Sequence, residues 1–128
     1  MNHEKVTFGF FIVLALTLNF GFFIGEMDDP LHHNVYELFA AIVVNLIATV
    51  LKFGDRTQIG AILLATSLVA DLQLVAAAIV WGVAVTTSGD AALSAEVTSS
   101  IVSLSGGALL ANITSVILLI AETVSLRR

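Results

Sequence analysis

The chain has no cysteine, which excludes disulfides and thiolate-ligated metals outright. Charge is scarce as well. Asp, Glu, Lys and Arg together make up 12% of 128 residues, against about 25% in soluble domains. Only five residues are basic, and they are scattered, so the clustered basic face of a nucleic-acid binder is missing. A soluble domain this apolar would have too little polar surface to cover it. The single proline, Pro30, falls between two apolar runs and acts as a stop there. The first of those runs lacks a small-residue cleavage site and exceeds the ~7–15 residue core of a signal peptide. It reads as a retained signal-anchor helix.

Apolar length is what the chain does have. Hydrophobic residues make up 58% of it, gathered into four runs of about the length that spans a bilayer. They are Val6–Ile24, Val35–Leu51, Ile59–Val85 and Ile101–Leu126. The expected fold is all-α, a polytopic membrane protein of four transmembrane helices, with residues 1–128 as one domain. Lys5, Lys52, Arg56, Arg127 and Arg128 all fall on one side of such an arrangement. The positive-inside rule makes that side cytoplasmic and puts both termini there. Tyr36 and Trp81 then fall at external helix ends, where amphipathic rings favour the headgroup layer. The Thr86–Ser100 connection, small and polar, reads as a mobile loop.

Lipid-facing surface needs no polar groups, so polar and small residues at helical spacing mark the packed face. The second run gives Glu37, Ala41, Asn45, Ala48 and Lys52. The third gives Gly60, Ser67, Asp71, Ala78 and Gly82, and the fourth Thr98, Ser105, Ala108, Asn112, Ser115 and Glu122. The first is weaker, with Ala15 and Asn19 on one side and a GxxxG-type pair at Gly21 and Gly25. Asp71 is the costliest of these residues, lying twelve residues past Ile59, about 18 Å along the helix and near midspan. A carboxyl at that depth costs from roughly +2.5 kcal/mol, and such acids tend to face a partner, a cavity or an ion path. Glu37, Asp71 and Glu122 would form an outer, middle and inner acidic series, with Ser67, Asn19, Asn45 and Asn112 among them. Several weak sites in a row suit a cation or proton passing in steps.

Blander readings stand beside this one. Asn and Ser at helix interfaces commonly serve as interhelical hydrogen-bond glue. Glu37 and Glu122 lie near enough to the helix ends to be solvated, and Glu122 can pair with Arg127 or Arg128. Glu26, Asp28, Asp29, His32 and His33 cluster in the first external loop. Carboxylates with imidazoles can hold a divalent ion, but no H-x3-H or HExxH spacing is present. A solvated acidic mouth that concentrates cations needs less special geometry. Whether this loop binds a metal stays open.

The segments Leu14-Ala-Leu-Thr-Leu-Asn19-Phe-Gly21, His33-Asn-Val-Tyr-Glu37-Leu-Phe39 and Phe53-Gly-Asp-Arg56-Thr-Gln58 resemble an uncharacterised small four-helix bacterial inner-membrane family, a domain of unknown function. The resemblance covers about the first two thirds of the chain. It implies a bacterial inner-membrane protein and brings no activity and no assigned site residues. Other small-transporter patterns are missing: the first run has no acid, no helix carries voltage-sensing arginines, and no Thr-Val-Gly-Tyr-Gly filter occurs.

Two functions are expected from the residues. The first is a homo-oligomeric cation channel or simple transporter for protons, monovalent or divalent ions, with small-residue faces at Gly21/Gly25 and Ser103/Gly107/Ala111/Ser115 inviting association. The second is an accessory or assembly subunit of another membrane protein, with no transport of its own. No Ser/His or metal constellation lies at catalytic spacing, so an enzyme is not expected, nor is a cofactor.

Overall fold

The computed structural model describes residues 3–25, 35–55, 57–88 and 94–126. They form four helices, α1 His3–Phe23, α2 Val35–Lys52, α3 Gln58–Ser88 and α4 Ala95–Leu126. All four are long and apolar enough to cross a membrane. The chain is therefore all-α, and by helix length and composition a multi-pass membrane protein. Each helix packs on the next, and α4 closes back on α1. The start of α1 and the end of α4 meet at one end of the bundle, where Lys5 lies 2.9 Å from Glu122.

Local chemistry explains where the helices begin and end. The Ser94 hydroxyl accepts from Val97 N at 3.2 Å, an N-cap that satisfies one of the free donors of the first turn. With that cap, α4 starts six residues before the apolar run, and Glu96 to Ser100, expected in a mobile loop, are helical. At the other side of this connection Thr87 donates back to Val83 O at 2.7 Å and keeps α3 helical to Ser88. α2 ends at Lys52 because Gly54 takes φ 91°, a left-handed conformation that glycine adopts without a Cβ clash. α4 runs unbroken through Ser105, Gly106 and Gly107.

The α2–α3 turn is fixed by side chains. Thr57 caps α3, its hydroxyl accepting from Gly60 N at 3.0 Å. Asp55 in turn accepts from the Thr57 hydroxyl at 2.7 Å and from Thr57 N at 3.0 Å. These bonds, the hydroxyl first, hold the Asp55 carboxyl below its ordinary range, with Lys52 adding to them. The folded form thus favours the carboxylate. The stability it lends is fully present above the ordinary value near 3.9 and is lost as the pH falls through the lowered one. Thr57→Ala should cost about 1 kcal/mol. Thermal unfolding in detergent checks this, and the Thr57→Ala protein should also lose part of the wild-type stability change below pH 4.

Candidate functional site

The interior of the bundle is mostly apolar, with buried polar side chains at several levels. Phe22, Leu38, Leu74 and Val102 pack in one apolar cluster, and Phe8, Ile12, Ala48 and Leu63 in another. Asn19, Asn45, Thr49, Ser67, Asp71, Ser105, Asn112 and Ser115 are buried alongside them. The polar faces of the four helices therefore face one another inside a single chain.

Asp71 is 7% exposed. Its Oδ2 accepts a hydrogen bond of 2.5 Å from the Thr49 hydroxyl, which also lies 2.9 Å from Asn45 O. Its Oδ1 has no hydrogen-bond partner among the described residues. Thr49 lies one turn before the end of α2, whereas Asp71 lies near the middle of α3. The two helices pair in this register at the opposite end as well, where Phe39 meets the edge of Trp81 at 6.2 Å. α3 therefore overruns α2 by nearly three turns at this end. Measured along α3, Asp71 is central, as its sequence position implies; measured along α2, it is one turn from a helix end.

Three further residues flank that level. Ser67 precedes Asp71 by one turn on the buried face of α3, toward the terminal end, while Asn45 precedes Thr49 by one turn on the antiparallel α2 and so lies on the other side. Asn112 lies one turn from Ser115, whose hydroxyl is 2.6 Å from that of Thr66. In that antiparallel register, α4 presents Asn112 opposite the segment from Ser67 to Asp71. Asn45 Oδ1, Ser67 Oγ and Asn112 Oδ1 are buried and, like Asp71 Oδ1, unpartnered among the described residues. The Asn45 amide nitrogen donates one of its two hydrogens to Ala41 O at 3.0 Å.

The other expected residues stand elsewhere. Asn19 bridges α1 to α4 nearer the end away from the termini. With its nitrogen toward α4 it donates to Ser105 Oγ at 2.7 Å, and its oxygen accepts from Leu109 N at 3.0 Å. Glu37 covers Gly21, where any Cβ would collide with its carboxylate. Gly106 receives the Phe23 ring and Gly107 the Gln73 amide. The small residues of these faces thus admit side chains of the same molecule. Glu122 pairs with Lys5. Arg127 and Arg128, its expected partners, lie outside the described residues, as do Arg56 and the five loop residues Glu26, Asp28, Asp29, His32 and His33.

At the terminal end an open cleft of roughly 840 Å3 is lined by His3, Glu4, Lys5, Lys52, Asp55 and Glu122, among others. Lys52 is buried beneath it, its Nζ 4.4 Å above the Phe8 ring and 3.4 Å from Asp55. One helical turn separates Lys52 from Thr49, and so separates the cleft floor from the Asp71 level. Among the described residues, no group of three His, Asp or Glu side chains is placed to hold a metal. Sequence reasoning passed over Thr49, Thr66 and Gln73. Thr49 was within reach, since it follows Asn45 by four residues on a face already marked as buried.

Residues 32–123, which cover α2, α3 and most of α4, match a family described as a Family of unknown function (DUF6394). The chain belongs to this family. The match takes in the whole Asp71 level and extends to residue 123, while Asn19 and Lys5 lie on α1, outside it. Two of the three segments that carry the sequence resemblance, around Glu37 and Arg56, fall inside it. No curated protein and no solved structure matches the chain.

Proposed function

We propose that the protein is a cation transporter or channel of the bacterial inner membrane, with Asp71 as the intramembrane site. The observation that carries this reading is a carboxyl group buried inside the bundle with one oxygen unpartnered, one turn from a charged, open cleft. Intramembrane acids are rare because burying them is costly, and those that persist commonly serve ion or proton paths. Lys5 and Lys52 both line the terminal-end cleft, which supports a cytoplasmic assignment for that end. The acidic sequence between α1 and α2 then serves the external side, where it concentrates cations.

In this reading the route runs through each protomer, from the Asn19–Ser105 level past Asp71 to the cleft between Lys5 and Lys52. A homo-oligomer in the bilayer would multiply such routes rather than create one on its axis. Exposed Val43, Val50, Leu72 and Leu110 supply apolar surface for lipid and for neighbouring copies.

Purified protein in liposomes tests the proposal. Proton, sodium, potassium and calcium gradients are applied in turn, and flux above that of protein-free vesicles is the expected outcome for at least one ion. Absence of every flux, together with a membrane protein co-purifying at fixed stoichiometry, would instead establish the accessory-subunit reading.

A further inference from the structure

We infer that the unpartnered oxygens around Asp71 form a binding site for one dehydrated monovalent metal cation. This deepens the reading of Asp71 as the cation site and rests on it. The set comprises Asp71 Oδ1, Ser67 Oγ and Asn112 Oδ1, contributed by α3 and α4. All three residues are more than nine-tenths buried, and Ser67 and Asn112 are fully so. Ser67 lies one turn from Asp71 on the same buried face, and the Thr66–Ser115 contact sets Asn112 level with the segment between them. Asn45 lies on the far side of the Thr49–Asp71 bond, about two turns from Ser67, and is not part of the set.

Buried polar atoms are almost always paired, so several orphaned oxygens at one level call for a common partner. Oxygen is the donor that hard cations take. The charge of the site selects a single positive charge. Among the described residues, Asp71 is the only carboxyl group at this level: Glu37 lies over Gly21 toward one end, and Glu122 pairs with Lys5 at the other. A divalent ion would leave an uncompensated charge in a low-dielectric interior, whereas a monovalent ion is neutralised by one carboxylate. A proton meets the charge requirement but supplies one donor and pairs one of the remaining oxygens. A metal ion engages all of them together.

The other unpartnered side-chain atoms do not belong to this set. Gln73 Oε1 sits with its amide against Gly107, and Thr98 Oγ1 is nearly four turns from Asn112 along α4. The Thr49 hydroxyl holds Asp71 Oδ2 and leaves Oδ1 available.

The test is thermal unfolding of the purified full-length protein in detergent, titrated with lithium, sodium or potassium chloride against choline chloride at constant ionic strength. At least one alkali ion should raise the unfolding temperature in a saturable manner, since a ligand bound only by the folded state stabilises it. Magnesium and calcium should fail to reproduce that shift at matched concentration. Asp71→Asn should abolish it, and Asn112→Ala and Ser67→Ala should each weaken the apparent affinity by roughly tenfold, as expected for one lost polar ligand. Should Asp71→Asn not fold, the two alanine variants and the wild-type ion series still decide the matter. Insensitivity of the wild type to every alkali ion, with proton flux that still depends on Asp71, would overturn the metal site and leave the transport reading standing. Insensitivity accompanied by no flux of any ion would overturn both.

Discussion

Asp71→Asn is expected to reduce cation flux in proteoliposomes by a hundredfold or more, on the order of 3 kcal/mol in the barrier, while the helical content stays unchanged. The substitution is nearly isosteric, and the asparagine oxygen can still accept from Thr49, so packing and the α2–α3 contact persist. What disappears is the one negative charge at that level. A cation leaving water for the bundle interior then meets neutral dipoles alone, which do not offset the loss of its hydration shell. Flux measured alongside circular dichroism separates the two effects. Unchanged flux from a folded Asp71→Asn protein would sink the transport reading.

Thr49→Val should be the second most damaging change, with a signature of its own. Valine matches threonine in shape, so the small Ala48–Leu63 cluster beside it keeps its packing. The loss is the donor to Asp71 Oδ2, after which neither carboxylate oxygen has a hydrogen-bond partner among the described residues. A buried acceptor stripped of its donor costs about 1–3 kcal/mol, more when it is charged. The unfolding temperature should fall in alkali-free buffer, and flux should fall with it. Thr49→Ser keeps the hydroxyl and should restore most of both, an outcome that simple loss of volume would not give. If valine and serine behave alike, the hydroxyl does not hold Asp71.

Much of this architecture is legible in the residues themselves. Four apolar runs define four helices, because a bilayer span must satisfy its backbone hydrogen bonds within the helix. Periodicity on the second, third and fourth runs picked out Asn45, Ser67, Asp71 and Asn112, all of which are buried. The same rule misplaced the far end of α3. Gly82 was expected on the packed face, yet a Cβ there meets open space; Ala78 packs partly buried against the core, where the fully buried positions are Leu74 and Ala77. Over a helix this long the contact stripe drifts around the axis as neighbours cross it at an angle, and a fixed spacing of four loses it.

Pairing was much less legible. Glu122 meets Lys5, more than a hundred residues away in sequence, while the C-terminal arginines expected beside it lie outside the described residues. Gly21 and Gly107 looked like surfaces for another copy, but Glu37 and Gln73 fill them. A small residue shows only that something approaches closely, and the approaching group is set by how helices are shifted along one another.

The sequence by itself determined the number of apolar helices, their apolar surface and the presence of one carboxyl deep within α3. Those properties follow from composition and from distance along a single helix, which the chain carries locally. The tertiary structure decided that the polar faces meet inside one molecule, that Thr49 holds Asp71, and that Ser67 and Asn112 leave oxygens unpaired near it. These depend on the register between helices. Many side-chain packings of modest energy set that register jointly, and no single segment encodes it.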